Sequence, residues 1–452
     1  MNAKITPLSG FPEWLPEQRI VEQHFLDVIR QTFELHGFAG IETRAVEPVS
    51  RLLGKGGDAD KEIYKVTRLA DRGEDRGPEE DQLGLHFDLT VPFARYVLEN
   101  AGHLQFPFRR YQIQKVWRGE RPQDGRFREF LQADIDIVDA GELPFHYEVE
   151  LPLVIADAFA RLPIGPFRIQ VNNRRIPEGF YLGLGLGSDQ VVTVLRIVDK
   201  LDKVGPQACT TMLVDAGLEP QQAKACLDLA QISASDGSFV EAVRALGVSH
   251  PTLDLGLEQL AAVVDAAAEH APGLLVADLK VARGLDYYTG TVYETQLVGQ
   301  EAYGSVCSGG RYDALAADGR TTYPGVGISI GVSRLVARLM PGLAASRRTP
   351  SAVLVSLASE EGRADAMRVA AALRSRGIAC EVAPSAAKFG KQIKFADRRG
   401  IPFVWFPAWV DAQGVAHEDA VKDIRSGEQV PADPSRWTPP VTDLRPSVVP
   451  AP

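Results

Sequence analysis

The chain has 452 residues, of which 45% are hydrophobic and 24% charged, and a formal net charge of −10. A chain of this size divides into two or three domains with a substantial core, and its acidic balance excludes a global basic field, so a nucleic-acid partner must be met by local patches. Cys209, Cys226, Cys307 and Cys380 are scattered without CxxC or CxxH spacing, a pattern of free thiols rather than a zinc site or a disulfide framework. The N-terminal stretch is polar and proline-punctuated, and no apolar run approaches the roughly 18 residues that span a bilayer; the expectation is a cytoplasmic protein.

In chain order, apolar residues at helical spacing (Ile20, Phe25, Val28, Ile29, Phe33) predict a helix over 17–36 that stops at Gly37, followed by a strand over 38–46. The glycine-rich 52–57 does not fit a P-loop and reads as a flexible loop; 71–81 reads as a solvated one. From Leu85 a strand turns into a helix, with Thr90 as N-cap and Pro92 in the first turn. Residues 107–139 predict two strands. In the second, Leu131, Ala133, Ile135 and Ile137 share one face, and Gln132, Asp134 and Asp136 share the other. The long connection between them carries Arg118, Glu120, Arg121, Arg126 and Arg128, guanidinium forks suited to bidentate phosphate binding. An ordinary hairpin with one wet face and a salt-bridged tip fits the same residues.

A helix over 143–162 and a strand over 167–173 follow. Residues 179–272 predict an inserted subdomain of four or five short helices, and Gly183-Leu184-Gly185-Leu186-Gly187 within it lacks the spacing and βαβ context of a dinucleotide site. Beyond it stand Arg283-Gly284-Leu285-Asp286-Tyr287-Tyr288, a strand over 291–297, the glycines of Ser308-Gly309-Gly310-Arg311, and a strand-then-helix over 325–335. After a short linker at 347–350, the alternation strand 352–357, helix 360–376, strand 379–382, helix 387–399, strand 402–406 predicts a small α/β domain with parallel strands. Its second helix bears Lys388, Lys391, Lys394, Arg398 and Arg399, a basic stripe in an acidic chain. From Pro434 the proline-rich composition predicts disorder.

The string Arg118-Gly119-Glu120-Arg121-Pro122, then Gly125-Arg126-Phe127-Arg128-Glu129-Phe130 and Gln132, resembles the second signature motif of class II aminoacyl-tRNA synthetases in its histidyl form. Asp88-Leu89-Thr90, the string from Arg283 to Tyr288, and Gly331 to Arg334 resemble further segments of the histidyl-tRNA synthetase family. The resemblance departs at Arg44, where the family's first motif has proline, at Ser333, where it usually has an acid, and in 405–420. It implies an α/β (α+β) class II catalytic domain over 1–345, with a mainly antiparallel sheet and the helical insertion, an anticodon-binding domain over 350–433, and a tail over 434–452. The implied catalytic residues are Arg118 and Arg283. Histidine would be bound by Asp88, Leu89, Thr90, Gln132, Asp136, Tyr287, Tyr288, Gly309 and Gly310. ATP would be bound by Arg118, Glu120, Arg126, Gly331 and Arg334, with Mg²⁺ accompanying the nucleotide and no protein metal ligands assigned. The implied partners are tRNA(His), met in part by Lys388, Lys391 and Lys394, and a second copy in a homodimer. The implied activity is histidine ligation to tRNA through an adenylate. The alternative is a non-catalytic relative that regulates ATP phosphoribosyltransferase in histidine biosynthesis.

Overall fold

The computed structural model describes residues 5–53, 61–69, 82–281, 287–411 and 413–451. The chain divides into two compact units, residues 1–12 with 26–335, and residues 13–25 with 336–452.

The first unit is built around one large sheet. Among the described residues it has nine strands: β1 (Ala39–Gly40), β2 (Phe108–Trp117), β3 (Glu129–Val138), β4 (Phe167–Asn173), β5 (Ser233–Ala234), β6 (Leu275–Asp278), β7 (Thr291–Leu297), β8 (Cys307–Tyr312) and β9 (Gly325–Ile330). Their order is β1-β2-β3-β9-β8-β7-β4-β6-β5. The inner pairs are antiparallel, while β1 joins β2 and β6 joins β4 in parallel. Directly opposed residues share a face of a pleated sheet, so the register sorts the side chains. One face carries Ile135, Ile137, Ile328 and Val326, buried in the core. The other face is polar in two rows. Arg110, Asp136, Gly327, Gly310, Val292 and Asn172 align in the first, and Gln112, Asp134, Ser329, Ser308, Glu294 and Gln170 in the second.

That polar face is not wet, as an ordinary hairpin would leave it. Helix α2 (Thr90–Asn100), which follows α1 (Pro16–Leu35) in the chain, lies over its β2 end, with Phe93 stacked on the Arg110 guanidinium at 4.3 Å. Arg110, Gln112, Asp134 and Asp136 are buried as a result. Helix α3 (His146–Ala160), which contains Pro152, anchors the opposite face: the Tyr293 hydroxyl donates to the Glu148 carbonyl at 2.5 Å.

Several expectations change. The strand expected over 38–46 is two short pieces, Ala39–Gly40 and Val46–Pro48, and Arg44 between them pairs with Glu47 at 3.2 Å and Glu99 at 3.4 Å. Its charge thus joins Arg95 in a cluster around the buried Glu47. Thr90 begins α2 rather than capping it; Asp88 Oδ1 accepts the free Val91 N–H at 3.0 Å. The insertion holds more helices than expected and ends in the long Pro251–His270, which crosses Arg175–Gly183 so closely that a Cβ on Gly179 would overlap the Leu253 backbone. It also contributes β5 to the main sheet. Gly185 closes a turn at φ 84°. The loop expected over 71–81 lies outside the described residues, as do 54–57 of the glycine-rich segment.

In the second unit, β10 (Val353–Val355), α5 (Arg363–Ser375), β11 (Cys380–Val382), α6 (Phe389–Arg399) and β12 (Phe403–Phe406) follow the expected alternation, α4 (Val332–Leu339) preceding them in the chain. Strands β11 and β12 flank β10 in parallel, and β13 (Ala420–Asp423) and β14 (Gln429–Pro431) extend the sheet antiparallel. The terminal segment expected to be disordered is ordered instead. Val448–Pro450 pairs with Leu343–Ala345, Trp437 packs edge-on against Phe403 and Trp405, and Arg376 donates to the carbonyls of Pro434, Arg436 and Trp437. Its prolines have no N–H to donate, and Arg376 pairs with three of its carbonyls.

Candidate active site

The polar face holds an acidic hollow. Asp136 Oδ2 pairs with Arg110 Nη2 at 2.6 Å, and Asp136 Oδ1 accepts from the Tyr312 hydroxyl at 2.8 Å. Next to it Gly327 and Gly310 remove side chains from the row; a Cβ on Gly327 would overlap the Asp136 carboxyl, and one on Gly310 would press the Tyr288 ring at 2.9 Å. The register places Gly309 on the opposite, apolar face, between Ile328 and Tyr293. Gln132 donates to Ser329 Oγ at 2.8 Å, while its Oε1 and Asp134 Oδ1 are buried without a hydrogen-bond partner. At the rim, the Tyr287 hydroxyl donates to Asp88 Oδ2 at 3.4 Å, and Tyr287 meets Tyr288 edge-on at 4.8 Å between ring centres. Leu89 is buried in the core, and its carbonyl accepts from Arg110 at 3.4 Å.

Three carboxylates, Asp88, Asp134 and Asp136, therefore share a low-dielectric hollow with one buried guanidinium. Burial pushes Asp134 up to about 7, against the attraction of Arg110 and with the Asp136 charge adding to the rise. Burial likewise pushes Asp136 up to about 6, opposed by Arg110 and the Tyr312 hydroxyl. Burial raises Asp88 as well, opposed by the Val91 N–H and then by Arg118. An excess of buried acid over base is the electrostatic complement of a small cation.

Beside the hollow runs a guanidinium margin. Arg118 Nε donates to the Phe87 carbonyl at 3.0 Å, and its guanidinium lies 5.1 Å from the centre of the Phe130 ring. Glu120 pairs with Arg126 at 3.2 Å, and the connection between β2 and β3 folds back at Gly125, φ 65°, through a Gln123–Arg126 bridge. Arg128 donates to the Glu120 carbonyl at 3.3 Å. Gly331 leads into α4, its N–H bonded to the Val306 carbonyl at 2.9 Å. The Leu131 N–H donates to Ser333 Oγ at 2.9 Å, so this serine ties α4 to the start of β3. Arg334 stacks on Tyr303, 4.4 Å from the ring centre, and donates to the Tyr303 carbonyl. Lys388, Lys391 and Lys394 are exposed along α6 in the second unit. Arg283 lies outside the described residues.

Sequence reasoning missed Arg110, Tyr312 and Tyr303. A charge on a strand is expected to find its counter-charge across the pair, but the long connection leaves the register open, so the partner of Arg110 follows only from the fold. Sequence reasoning also missed the network in which Arg311 donates to Glu148 at 2.7 Å and to Asp313 at 2.9 Å, fixing the strand that carries Gly310.

Comparison with known proteins matches this geometry to one family. Residues 10–335 match the family described as histidyl-tRNA synthetase, and residues 352–435 match the anticodon binding domain family. The chain is 60% identical to the histidine–tRNA ligase of Micrococcus luteus over 98% of each chain, and 57% identical to that of Cutibacterium acnes over 99% of each. Among solved structures, histidyl-tRNA synthetase from Nostoc sp. PCC 7120 superposes with a TM-score of 0.81 at 34% identity, covering 95% of this chain and 97% of that one. An ATP phosphoribosyltransferase regulatory subunit/histidyl-tRNA synthetase from Bacillus halodurans shares the fold, with a TM-score of 0.72 at 18% identity over 87% of this chain and 97% of that one. With an acidic hollow, a guanidinium margin and near-complete coverage at such identity, the chain belongs to the histidyl-tRNA synthetase family.

Proposed function

We propose that this chain ligates L-histidine to its cognate tRNA in two steps, through a histidyl-adenylate. What carries the reading is the match of a single chain to both the synthetase family over 10–335 and the anticodon binding domain over 352–435. The histidine sits in the hollow: Asp88 and Thr90 take the ammonium, Gln132 the polar end of the amino acid, and Asp136 the imidazole, walled by Tyr287, Tyr288 and the Gly309–Gly310 backbone. One carboxylate oxygen of histidine attacks the α-phosphorus of ATP, and the bond to the bridging oxygen breaks to release pyrophosphate. Negative charge gathers on the phosphoryl oxygens, and Arg118 neutralises it from a position preset by the Phe87 carbonyl. Arg283 acts between the two substrates; Glu120, Arg126, Gly331 and Arg334 hold the rest of the nucleotide. Magnesium enters with ATP as substrate. In the second step a ribose hydroxyl at the tRNA 3′ end attacks the acyl carbon and AMP leaves.

In the domain division that accompanies this reading, 1–345 is catalytic and 350–433 binds the anticodon arm, with Lys388, Lys391 and Lys394 on the phosphate backbone. The assembly is a homodimer, which light scattering on the purified protein tests. A regulatory, non-catalytic role has fold likeness at 18% identity in its favour, against 60% identity to a ligase. Histidine-dependent ATP–pyrophosphate exchange decides: the wild type exchanges, and Arg118→Ala loses about 100-fold or more, the usual cost of one preorganised transition-state donor. A wild type that binds histidine without exchange would leave the regulatory role standing.

A further inference from the structure

Tyr303 lies between two parts of the guanidinium margin that are remote in sequence. It ends a short turn, Glu301–Tyr303, in the β7–β8 connection. Its ring faces the Arg334 guanidinium at 4.4 Å, and its hydroxyl donates to the Arg334 carbonyl at 2.8 Å. In return Arg334 Nη2 donates to the Tyr303 carbonyl. The same hydroxyl abuts Gly125, at the fold-back of the connection between β2 and β3, where an added Cβ would overlap it. Gly304 follows at φ 78°, a conformation that lets the chain turn away directly after the ring. Three contacts to one arginine and one to the loop tip are more than packing of an exposed turn requires. An arginine has several rotatable bonds, and freezing them in advance removes an entropy cost from binding.

We propose that Tyr303 is a positioning residue for ATP: it presents the Arg334 guanidinium in its binding orientation and forms the wall against which the Gly125 fold-back closes. The inference rests on the reading of Arg334 as a nucleotide-binding residue. Tyr303 covers one face of the guanidinium plane, and a purine is the kind of planar ligand against which a guanidinium stacks. Histidine, held in the acidic hollow, does not depend on this contact.

The test is pyrophosphate exchange on the full-length protein, with KM measured separately for ATP and histidine, on Tyr303→Phe, Tyr303→Leu and Arg334→Ala. Tyr303→Phe keeps the aromatic face but loses the hydroxyl's bond to the Arg334 carbonyl and its contact at Gly125, and raises KM for ATP less than Tyr303→Leu does, with little change for histidine. Tyr303→Leu keeps apolar bulk against Gly125 without a π face, and raises KM for ATP about fivefold or more with little change for histidine. The inference is overturned if Tyr303→Leu leaves KM for ATP unchanged while Arg334→Ala raises it, or if Tyr303→Leu raises both constants alike together with a lowered melting temperature. If Arg334→Ala leaves KM for ATP unchanged, the assignment of Arg334 is wrong, and the role of Tyr303 falls with it.

Discussion

Asp134 has one buried oxygen without a partner and stands next to Asp136 and Arg110. Its folded pKa of about 7 lies above the ordinary 3.8, so the folded protein keeps a proton that the unfolded chain releases. Between about pH 4 and pH 7 the folded state accordingly loses stability as pH rises. Asp134→Asn removes this contribution, and its melting temperature should fall less steeply than the wild type's across that window. An identical slope in the variant would mean that the proton resides elsewhere, on Asp136 or Asp88. The same residue is 2% exposed, so the strand face on which it stands is buried rather than wet.

Among the elements, β9 is the one whose side chains are defined by what they lack. Gly327 stands opposite Asp136, and the carboxyl leans into the space a Cβ would fill. Gly327→Ala should push Asp136 off Arg110 and Tyr312, and raise KM for histidine about tenfold or more, the scale of one lost charge-assisted hydrogen bond. KM for ATP should hold, since Arg118 and Arg334 lie on other elements. Equal changes in both constants would point instead to a general shift of the sheet. Helix α2 completes the arrangement from above: Asp88 caps it, and its Phe93 roofs Arg110, so one element both closes the hollow and orients its rim.

At the scale of the whole molecule, the second unit holds its terminal segment by side-chain contacts rather than by composition. Trp437 meets Phe403 at 5.2 Å and Trp405 at 5.7 Å between ring centres, and Arg376 binds the neighbouring carbonyls. Trp437→Ala should destabilise this unit by about 2 kcal/mol or more through lost aromatic packing, read as an earlier denaturant transition. Pyrophosphate exchange should persist in that variant, because the site proposed for the exchange lies in the first unit. An unchanged transition would show that the segment merely rests on the sheet.

By itself the sequence determined the alternation of β3, the βαβαβ order of the second unit, and the family, through strings such as Arg118 to Gln132 whose residue types the chemistry restricts. Periodicity assigns a residue to a face, and that much needs no tertiary information. Whether the face is wet or buried depends on what lies over it, and here α2, brought in by the Leu83–Asn100 segment, decided the matter. Partners across the sheet, Arg110 with Asp136 and Tyr312 with Asp136, are separated by up to 176 positions and follow only from strand order and register. The fate of the terminal segment was likewise tertiary: a proline-rich composition forecasts disorder, but one tryptophan finding two aromatic rings, and one arginine finding three carbonyls, were enough to order it.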